Sequence, residues 1–306
     1  MSLKSVFLQV VAVLALLTAA VSARAAPALV IEPKSGLVIY AEEPDRVWHP
    51  ASLTKLMTAY LTFEALRDGK LSLADKVVSS ENARLQPPSK IGLPLGAEMT
   101  VELALKALII KSANDVAVMI AERVAGAEPA FIDRMNATAK RLGMTKTRFY
   151  NPHGLPHDQQ VTTARDMAIL GRALLKEFPE HAHLYSLDSF KLGKQTLRSH
   201  NKLLRTFEGA DGMKTGFICA SGFNVVASAT RGDLSIMAVV LGAKSSGART
   251  ARAARLIQHG FEFYGWKTMF SAKLDQMAID ANAETTPEDL RPVVCRPRAA
   301  PKKKKK

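Results

Sequence analysis

The sequence predicts an α+β fold in which an antiparallel sheet is flanked by helices and carries a helical subdomain. Strand-like segments lie towards both ends of the chain, at 28–40 and 222–242. Helical periodicity dominates the long stretch between them. Only Arg231-Gly232-Asp233 separates the two late strands, which is typical of a hairpin and hence of antiparallel pairing. Strands at both ends with helices between them favour one α+β domain.

The first predicted elements are a hairpin and a helix. The apolar runs ALVIE and GLVIY meet at Pro33-Lys34-Ser35-Gly36, a sequence typical of a turn. From Ser52 to Arg67 the apolar residues recur with a helical period, and Asp68-Gly69 ends the pattern.

The middle of the chain predicts a series of helices. Thr100 is a suitable cap for a helix through Ile110, and 116–124 has the pattern of the next helix, so that Ser112-Ala113-Asn114 lies at the joint. Thr163 and Asp166 resemble a capping box. Further helices are expected at 131–142, 166–178 and about 250–260.

The positive charge of the chain is concentrated at its ends. The 306 residues include 42 lysines and arginines against 28 acids, for a formal net charge of +14. Residues 291–306 contribute +8 of this charge and Lys4 and Arg24 another +2, which leaves +4 on residues 26–290. No nucleic-acid recognition motif is present, so we expect no nucleic-acid partner. A hydrophobic content of 47% excludes wholesale disorder.

Residues 1–25 have the pattern of a secretory signal peptide. Lys4 precedes a short apolar run, and the small residues around Ala23-Arg24-Ala25 resemble a cleavage site. An uncleaved anchor is the alternative, but the run is shorter than the roughly 20 apolar residues of a spanning helix. We therefore expect an exported protein, placed in the periplasm or cell envelope, with its signal peptide cleaved.

Ser52-Leu53-Thr54-Lys55 is the first motif with catalytic potential. The i, i+3 spacing places the Ser52 hydroxyl and the Lys55 amine on one helical face. A desolvated lysine beside another cation can act as the base that activates a serine. In isolation, however, a cap serine with a solvated lysine explains the same pattern.

Two further short motifs follow along the chain. Ser112-Ala113-Asn114 joins two apolar helices, and Lys214-Thr215-Gly216 precedes the late strands. The glycine of Lys214-Thr215-Gly216 would allow another backbone to approach closely. Each motif alone has an ordinary explanation, as helix-cap residues and as a basic turn.

The order S-x-x-K, S-x-N, K-T-G is that of penicillin-recognising serine enzymes. The chain resembles the D-alanyl-D-alanine carboxypeptidases, which are the low-molecular-mass penicillin-binding proteins of serine peptidase family S11. Blocks typical of the family are PASLTKLMT (50–58), HGL (153–155), TARDM (163–167), DGMKTG (211–216) and NVVASAT (224–230). The resemblance covers about 28–264 and implies the penicillin-recognising DD-peptidase/β-lactamase-like fold.

The resemblance implies a mechanism based on an acyl-enzyme. Ser52 would attack the carbonyl between the two terminal D-alanines of a peptidoglycan stem peptide, and Lys55 would take its proton. Ser112 would relay a proton to the leaving amine, assisted by Lys214. Asn114 would hold the substrate amide.

The same resemblance assigns the remaining contacts of the site. Thr215 and Arg249 would receive the substrate carboxylate, and the backbone N–H groups of Ser52 and Phe217, beside Gly216, would form the oxyanion hole. No metal or cofactor is implied, and β-lactams would acylate the same serine. Phe217 stands where many members have histidine, and His200 stands where the best-known relatives have arginine. His200 and His153 are interpreted as structural rather than catalytic.

The domain prediction places the catalytic domain at 26–265 and a basic, largely disordered tail at 266–306. The tail is either solvated or in weak contact with an anionic wall polymer or membrane. We also hypothesise a disulfide between Cys219 and Cys295 that holds the tail beside the cleft; two free thiols are the alternative.

Three other functions are open at this point. A class A β-lactamase would need a further glutamate for deacylation, but 151–176 contains only Asp158 and Asp166 as acids. A D,D-endopeptidase that cleaves peptidoglycan crosslinks is chemically closer. A non-catalytic wall-binding module is disfavoured because all the motif residues are intact.

Overall fold

The computed structural model describes residues 26–295. These residues form nine strands: β1 (Ala28–Ile31), β2 (Val38–Glu42), β3 (Lys76–Val78), β4 (Glu98–Thr100), β5 (Ser189–Leu192), β6 (Gln195–Arg198), β7 (Ala210–Ile218), β8 (Gly222–Arg231) and β9 (Leu234–Ala243). A five-stranded sheet in the order β2-β1-β9-β8-β7 forms the centre of the fold, and all its neighbours are antiparallel. The predicted first hairpin and late hairpin are both confirmed.

The helices are α1 (Lys55–Arg67), α2 (Glu81–Leu85), α3 (Val101–Lys106), α4 (Asn114–Ala125), α5 (Glu128–Leu142), α6 (Ala164–Glu177), α7 (His183–Ser186), α8 (Leu203–Thr206), α9 (Ser246–Lys267) and α10 (Arg291–Val294). A 3₁₀ turn (Ala51–Thr54) precedes α1, a π-turn (Ala107–Lys111) follows α3, and a second 3₁₀ turn lies at Pro179–His181. The predicted helices are all present, and α9 extends well beyond the expected 250–260.

Alternation along the central strands produces two cores. In β8 and β9, Val226, Met237 and Val239 join the large core shared with α1, α4 and α6. Their neighbours Val225 and Ala238 face the other side, in a smaller core with α9. The sheet is therefore the middle layer of three, since each of its faces is covered by helices.

The insertion between α1 and β5 forms the helical subdomain. Thr100 caps α3 through its Oγ1, which accepts from Leu103 N at 3.3 Å. Thr163 caps α6 in the same way, accepting from Asp166 N at 3.0 Å. The Asp166 carboxylate accepts hydrogen bonds from Thr147 Oγ1 and Lys146 N, at 2.7 and 3.0 Å, and these bonds fix the segment before α6.

Strand β7 was not among the predicted elements. The Lys214-Thr215-Gly216 motif lies within this strand, where Lys214 pairs with Val226 of β8, and the interpretation of the motif as a basic turn is wrong. The small two-stranded sheet β3–β4 and the hairpin β5–β6 were also not predicted. Their polar, short segments carry too few apolar residues to show a strand period.

Residues 268–295, here called the strap, correct the expectation of a disordered tail from residue 266. The buried Arg165 guanidinium pairs with Asp45 and donates to the carbonyls of Met277 and Ala278, at 2.8 and 2.7 Å. Asp280 N donates to the same Asp45 carboxylate at 3.0 Å. These bonds hold the strap against the domain, and its Leu274 and Leu290 are buried.

The Cys219–Cys295 disulfide is present, as hypothesised, and joins the end of the strap to the end of β7. The predicted signal peptide at 1–25 and the basic residues at 296–306 lie outside the described residues. Within 26–295, no helix is both long and apolar enough to cross a membrane.

Candidate active site

Ser52 lies in the 3₁₀ turn immediately before α1. The turn is fixed from one side by Gly154, whose φ is +87° and where an added Cβ would lie 1.9 Å from Ala51 O. Ser52 is half-buried and opens into a cleft, whereas its neighbour Leu53 is fully buried. The hydroxyl is thus held at the N-terminal end of a helix, where free backbone N–H groups favour negative charge.

Lys55 is completely buried one turn after Ser52. Its Nζ lies 3.1 Å from Ser52 Oγ, 2.7 Å from Asn114 Oδ1 and 2.5 Å from His153 O. Burial above all, and then the nearby positive charge of Lys214, lower the pKa of Lys55 well below its usual value. In its neutral form the Lys55 amine can accept the proton of the neighbouring Ser52 hydroxyl.

Ser112 and Asn114 lie where the π-turn passes into α4. The π-turn ends with Ser112 in the left-handed region, at φ 61°, which redirects the chain and leads into α4. Asn114 Nδ2 donates to Pro87 O at 2.8 Å, and its Oδ1 faces Lys55. The strained backbone at Ser112 therefore positions Ser112-Ala113-Asn114 beside Lys55 of the first motif.

Lys214 projects from β7 to the same place. Its Nζ donates to Ser112 Oγ and to Thr215 O, both at 2.9 Å. Burial, and then the positive charge of Arg249, lower the pKa of Lys214 to about 7. The Ser112 hydroxyl thus has a lysine partner that changes its protonation state near neutral pH.

Gly216 presses β7 against the Ser52 turn. An added Cβ would lie 2.9 Å from Pro50 O and 3.1 Å from the backbone nitrogens of Ser52 and Leu53. The close backbone approach expected of this glycine is confirmed. It brings the next residue, Phe217, beside Ser52, and the Phe217 ring stacks on Phe223 with centroids 4.3 Å apart.

Arg249 lies in the first turn of α9 and is buried. It donates to His200 O and to Ser246 Oγ, both at 3.2 Å. Burial, and then the neighbouring Lys214, lower the pKa of His200 to about 4, so that its imidazole is neutral at pH 7. His200 borders the cleft and positions Arg249 through its backbone carbonyl.

One cleft of about 440 Å³ collects the residues singled out in the sequence. Its lining includes seven of them: Ser52, Ser112, Asn114, Thr215, Gly216, Phe217 and Arg249. Lys55 and Lys214 lie beneath its floor, in contact with the two serines. Lys202 and Arg205 add positive charge to the wall, and the described residues that line it include no aspartate or glutamate.

Several contributing residues could not be identified from their side-chain chemistry. His153 acts through its carbonyl on Lys55, while its ring accepts from Leu155 N at 3.1 Å. Burial, and then the Lys55 charge, lower the pKa of His153 to about 3, which agrees with a structural interpretation. Pro87 likewise acts through its backbone carbonyl. Contacts made by a backbone carbonyl do not depend on the identity of the side chain, so the sequence does not indicate them.

The three sequence motifs meet around one cleft, where the Ser52 hydroxyl lies next to a buried lysine. The family model of D-alanyl-D-alanine carboxypeptidase, Peptidase_S11, matches residues 15–245. The chain belongs to this family. The family predicted from the motifs is thereby confirmed.

Curated relatives are identical to the chain at more than a third of the aligned positions. It is 38% identical over 243 residues to the D-alanyl-D-alanine carboxypeptidase DacC of Escherichia coli, covering 77% of this chain and 61% of the relative. It is 36% identical over 252 residues to DacF of Bacillus subtilis, covering 81% and 64%. The chain thus spans about three-fifths of the length of these relatives.

Solved structures show the same fold. Penicillin-binding protein 5 from Haemophilus influenzae superposes with a TM-score of 0.75 at 35% identity, over 78% of this chain and 71% of the other. Penicillin-binding protein D2 from Listeria monocytogenes, in its ampicillin-bound form, gives 0.71 at 33% identity, over 78% and 97%. The predicted penicillin-recognising DD-peptidase fold is confirmed.

Proposed function

We propose that the protein is an exported serine D-alanyl-D-alanine carboxypeptidase. It removes the terminal D-alanine from peptidoglycan stem pentapeptides through an acyl-enzyme on Ser52. The observation that carries this proposal is the 3.1 Å contact of the Ser52 hydroxyl with Lys55, whose pKa is lowered by burial and by Lys214. The family membership of the chain supports the substrate class.

In the first step Lys55 accepts the Ser52 proton as Oγ attacks the carbonyl carbon between the two D-alanines. The backbone N–H groups of Ser52 and Phe217 stabilise the oxyanion, because Gly216 allows β7 to lie against the Ser52 turn. One such donor is typically worth about 3–4 kcal/mol in the transition state.

Collapse of the tetrahedral intermediate releases D-alanine. Ser112, held by Lys214 at 2.9 Å, relays to the leaving amine the proton that Lys55 took from Ser52, so that the Ser112 hydroxyl and the neutral Lys55 amine are both restored. Thr215 and Arg249 receive the substrate's terminal carboxylate, and Asn114 orients its amide. A water molecule then attacks the acyl-enzyme carbonyl, and Lys55 takes one proton from the water and returns it to Ser52 Oγ as the ester bond breaks. This step regenerates Ser52 and releases the shortened peptide, and we propose no metal or cofactor for any step.

Export and the domain division are part of the same proposal. The catalytic domain spans 26–265 and follows a cleaved signal peptide at 1–25. The Cys219–Cys295 disulfide supports an oxidising compartment, because disulfides are rare in the reducing cytosol.

We further propose that β-lactams acylate Ser52 and are released slowly. A class A β-lactamase uses a cleft glutamate to deacylate, and no acidic side chain occurs among the described residues lining this cleft. Asp166 is buried and bonded to Thr147, and Asp158 is not in the lining. The ampicillin-bound form of the Listeria monocytogenes relative supports β-lactam binding at such a site.

Mass spectrometry of the products tests the proposal. A pentapeptide stem should lose one D-alanine in the presence of the wild-type protein and remain intact with Ser52→Ala. Splitting of a crosslinked dimer at a higher rate than release of free D-alanine would instead identify an endopeptidase. A protein that binds peptidoglycan and releases nothing would identify a non-catalytic wall-binding module.

A further inference from the structure

Phe217 and Phe223 form an aromatic pair on the wall of the cleft. They lie directly opposite each other on β7 and β8, and their rings stack with centroids 4.3 Å apart. Phe217 is 42% exposed, Phe223 is half-buried, and both line the cleft. Large apolar side chains exposed in a concave site indicate a ligand that covers them. The oxyanion hole uses only the backbone N–H of Phe217, so it leaves both rings without a function.

The pleat of the sheet places the two rings on the same side as Thr215. Successive side chains of a strand point to opposite faces, and residues directly opposite in an antiparallel pair share a face. Val225, the partner of Thr215, packs in the smaller core with α9, whereas Val226, the partner of Lys214, packs in the large core. Phe217 is two residues beyond Thr215, so its ring lies on the α9 side, about 7 Å further along β7.

The start of α9 brings the proposed carboxylate-binding arginine to the same side. Phe223 pairs with Ala243 of β9, and α9 begins three residues later at Ser246. Arg249 donates to Ser246 Oγ at 3.2 Å, and both residues line the cleft together with the aromatic pair. A terminal substrate residue whose carboxylate is held by Thr215 and Arg249 would therefore have its side chain within reach of the two rings.

We propose that the Phe217–Phe223 pair is a subsite for the side chain of the terminal D-residue, and that the protein also releases apolar D-amino acids larger than alanine. This inference rests on the proposed function. The methyl group of D-alanine covers little of the two rings. A chain of four carbons, as in D-norleucine, extends three bonds further and removes more apolar surface from water.

The chemical steps are the same for a larger terminal residue. Ser52 attacks the carbonyl carbon of the penultimate D-alanine, so the acyl-enzyme is identical. The peptide bond to the terminal residue breaks, and the amine of the released D-amino acid takes the proton that Ser52 lost. Water then hydrolyses the acyl-enzyme, so each turnover consumes one peptide and one water molecule. The side chain of the leaving residue therefore affects binding and orientation only.

The basic wall of the cleft offers a competing partner for the terminal side chain. Lys202 and Arg205 line the cleft, and an acidic side chain would favour them. Arg205, however, already lies 3.6 Å from Asp188, and both basic residues are exposed to solvent, where ion pairs contribute little. We therefore expect an apolar terminal side chain to be preferred to an acidic one.

Peptides with different terminal residues test the subsite. Short acetylated peptides that end in D-alanyl-D-alanine, D-alanyl-D-norleucine, D-alanyl-D-glutamine or D-alanyl-D-glutamate are compared by release of the free D-amino acid. Glutamine and glutamate match norleucine in length but carry a polar or charged end. The variants are Phe217→Ala and Phe223→Ala. Phe263→Ala is the matched control, because Phe263 is 43% exposed but is not among the described residues that line the cleft.

The quantity that decides the inference is the ratio of kcat/KM for the norleucine peptide to that for the alanine peptide. This ratio divides out an effect of Phe217→Ala on the oxyanion hole, because both peptides form the same oxyanion. Each cleft variant should lower the ratio about tenfold, the lower end of the discrimination that a hydrophobic pocket provides. The wild type should favour norleucine over glutamine and glutamate by a similar factor, and Phe263→Ala should keep the wild-type ratio.

An unchanged ratio in both cleft variants would overturn the inference, as would an equal loss in Phe263→Ala. Faster release of glutamate than of norleucine by the wild type would also overturn it and would indicate the basic wall instead. Calorimetric binding of the same peptides to Ser52→Ala is a second measurement that needs no turnover. If the wild type releases no amino acid, the proposed function fails, while the affinity ratio of Ser52→Ala, with and without Phe223→Ala, still decides the inference.

Discussion

Replacing Gly216 with alanine is expected to raise the free-energy barrier to acylation of Ser52 more than it lowers the free energy of unfolding. The new Cβ would lie 2.9 Å from Pro50 O and 3.1 Å from Ser52 N and Leu53 N. All three atoms belong to the backbone, so the strand or the turn must move by a few tenths of an ångström. Either movement separates the Ser52 and Phe217 N–H groups that we propose as the oxyanion hole.

The expected loss of acylation rate follows from the hydrogen bond to the oxyanion that this separation removes. Losing one oxyanion donor typically costs about 3–4 kcal/mol in the transition state, so we expect kcat/KM and the acylation rate constant to fall about 10²- to 10³-fold. Overpacking of one methyl group costs about 1–3 kcal/mol in the free energy of unfolding.

Acylation by a fluorescent penicillin and cleavage of a short peptide measure the catalytic loss, and urea unfolding measures the stability. Gly265→Ala is the matched control, because an added Cβ there has no neighbour within 4 Å and lies within α9. Wild-type acylation by a folded Gly216→Ala protein would refute the proposed role of this close approach.

Three further predictions concern charged groups. Burial, and then the charge of Lys214, lower the pKa of Lys55. The Lys214→Gln variant should therefore raise the pKa of Lys55 and move the acid limb of the pH profile of kcat/KM to higher pH. An acid limb that stays in place or moves to lower pH would contradict this coupling. Arg249→Ala should lower kcat/KM about 30-fold on a peptide with a free terminal carboxylate, from the loss of about 2 kcal/mol; an equal loss on the matching C-terminal amide would rule out carboxylate recognition. Asp45→Asn leaves the Arg165 guanidinium buried without its carboxylate partner. The free energy of unfolding, measured in urea, should therefore fall by about 3–5 kcal/mol. A loss of less than about 1 kcal/mol would show that this pair does not hold the strap.

The motif residues could be predicted because their identities and order carry the family signal. Ser52 contacts Lys55, and Ser112 contacts Lys214, as expected, and the sequence also indicated the close approach at Gly216. The lowered pKa of Lys55 could be expected only in direction, because it depends on complete burial and on the position of Lys214.

Other features depend on contacts between residues far apart in the chain. Strand β7 includes Asp211, Gly212 and Gly216, which are poor strand formers, and it forms by pairing with β8. Apart from α10, the strap contains no assigned helix or strand, and it is held through the Asp45–Arg165 pair. Neither pairing is visible in a local pattern of hydrophobic residues.

Ser52 is the residue that we propose becomes acylated. This can be tested by intact-protein and peptide mass spectrometry after reaction with fluorescent penicillin, with Ser89→Ala as control because Ser89 lines the same cleft. We predict one adduct per molecule, on the peptide containing Ser52, in the wild type and in Ser89→Ala, and none in Ser52→Ala. An adduct on Ser52→Ala equal to that on the wild type would contradict the mechanism.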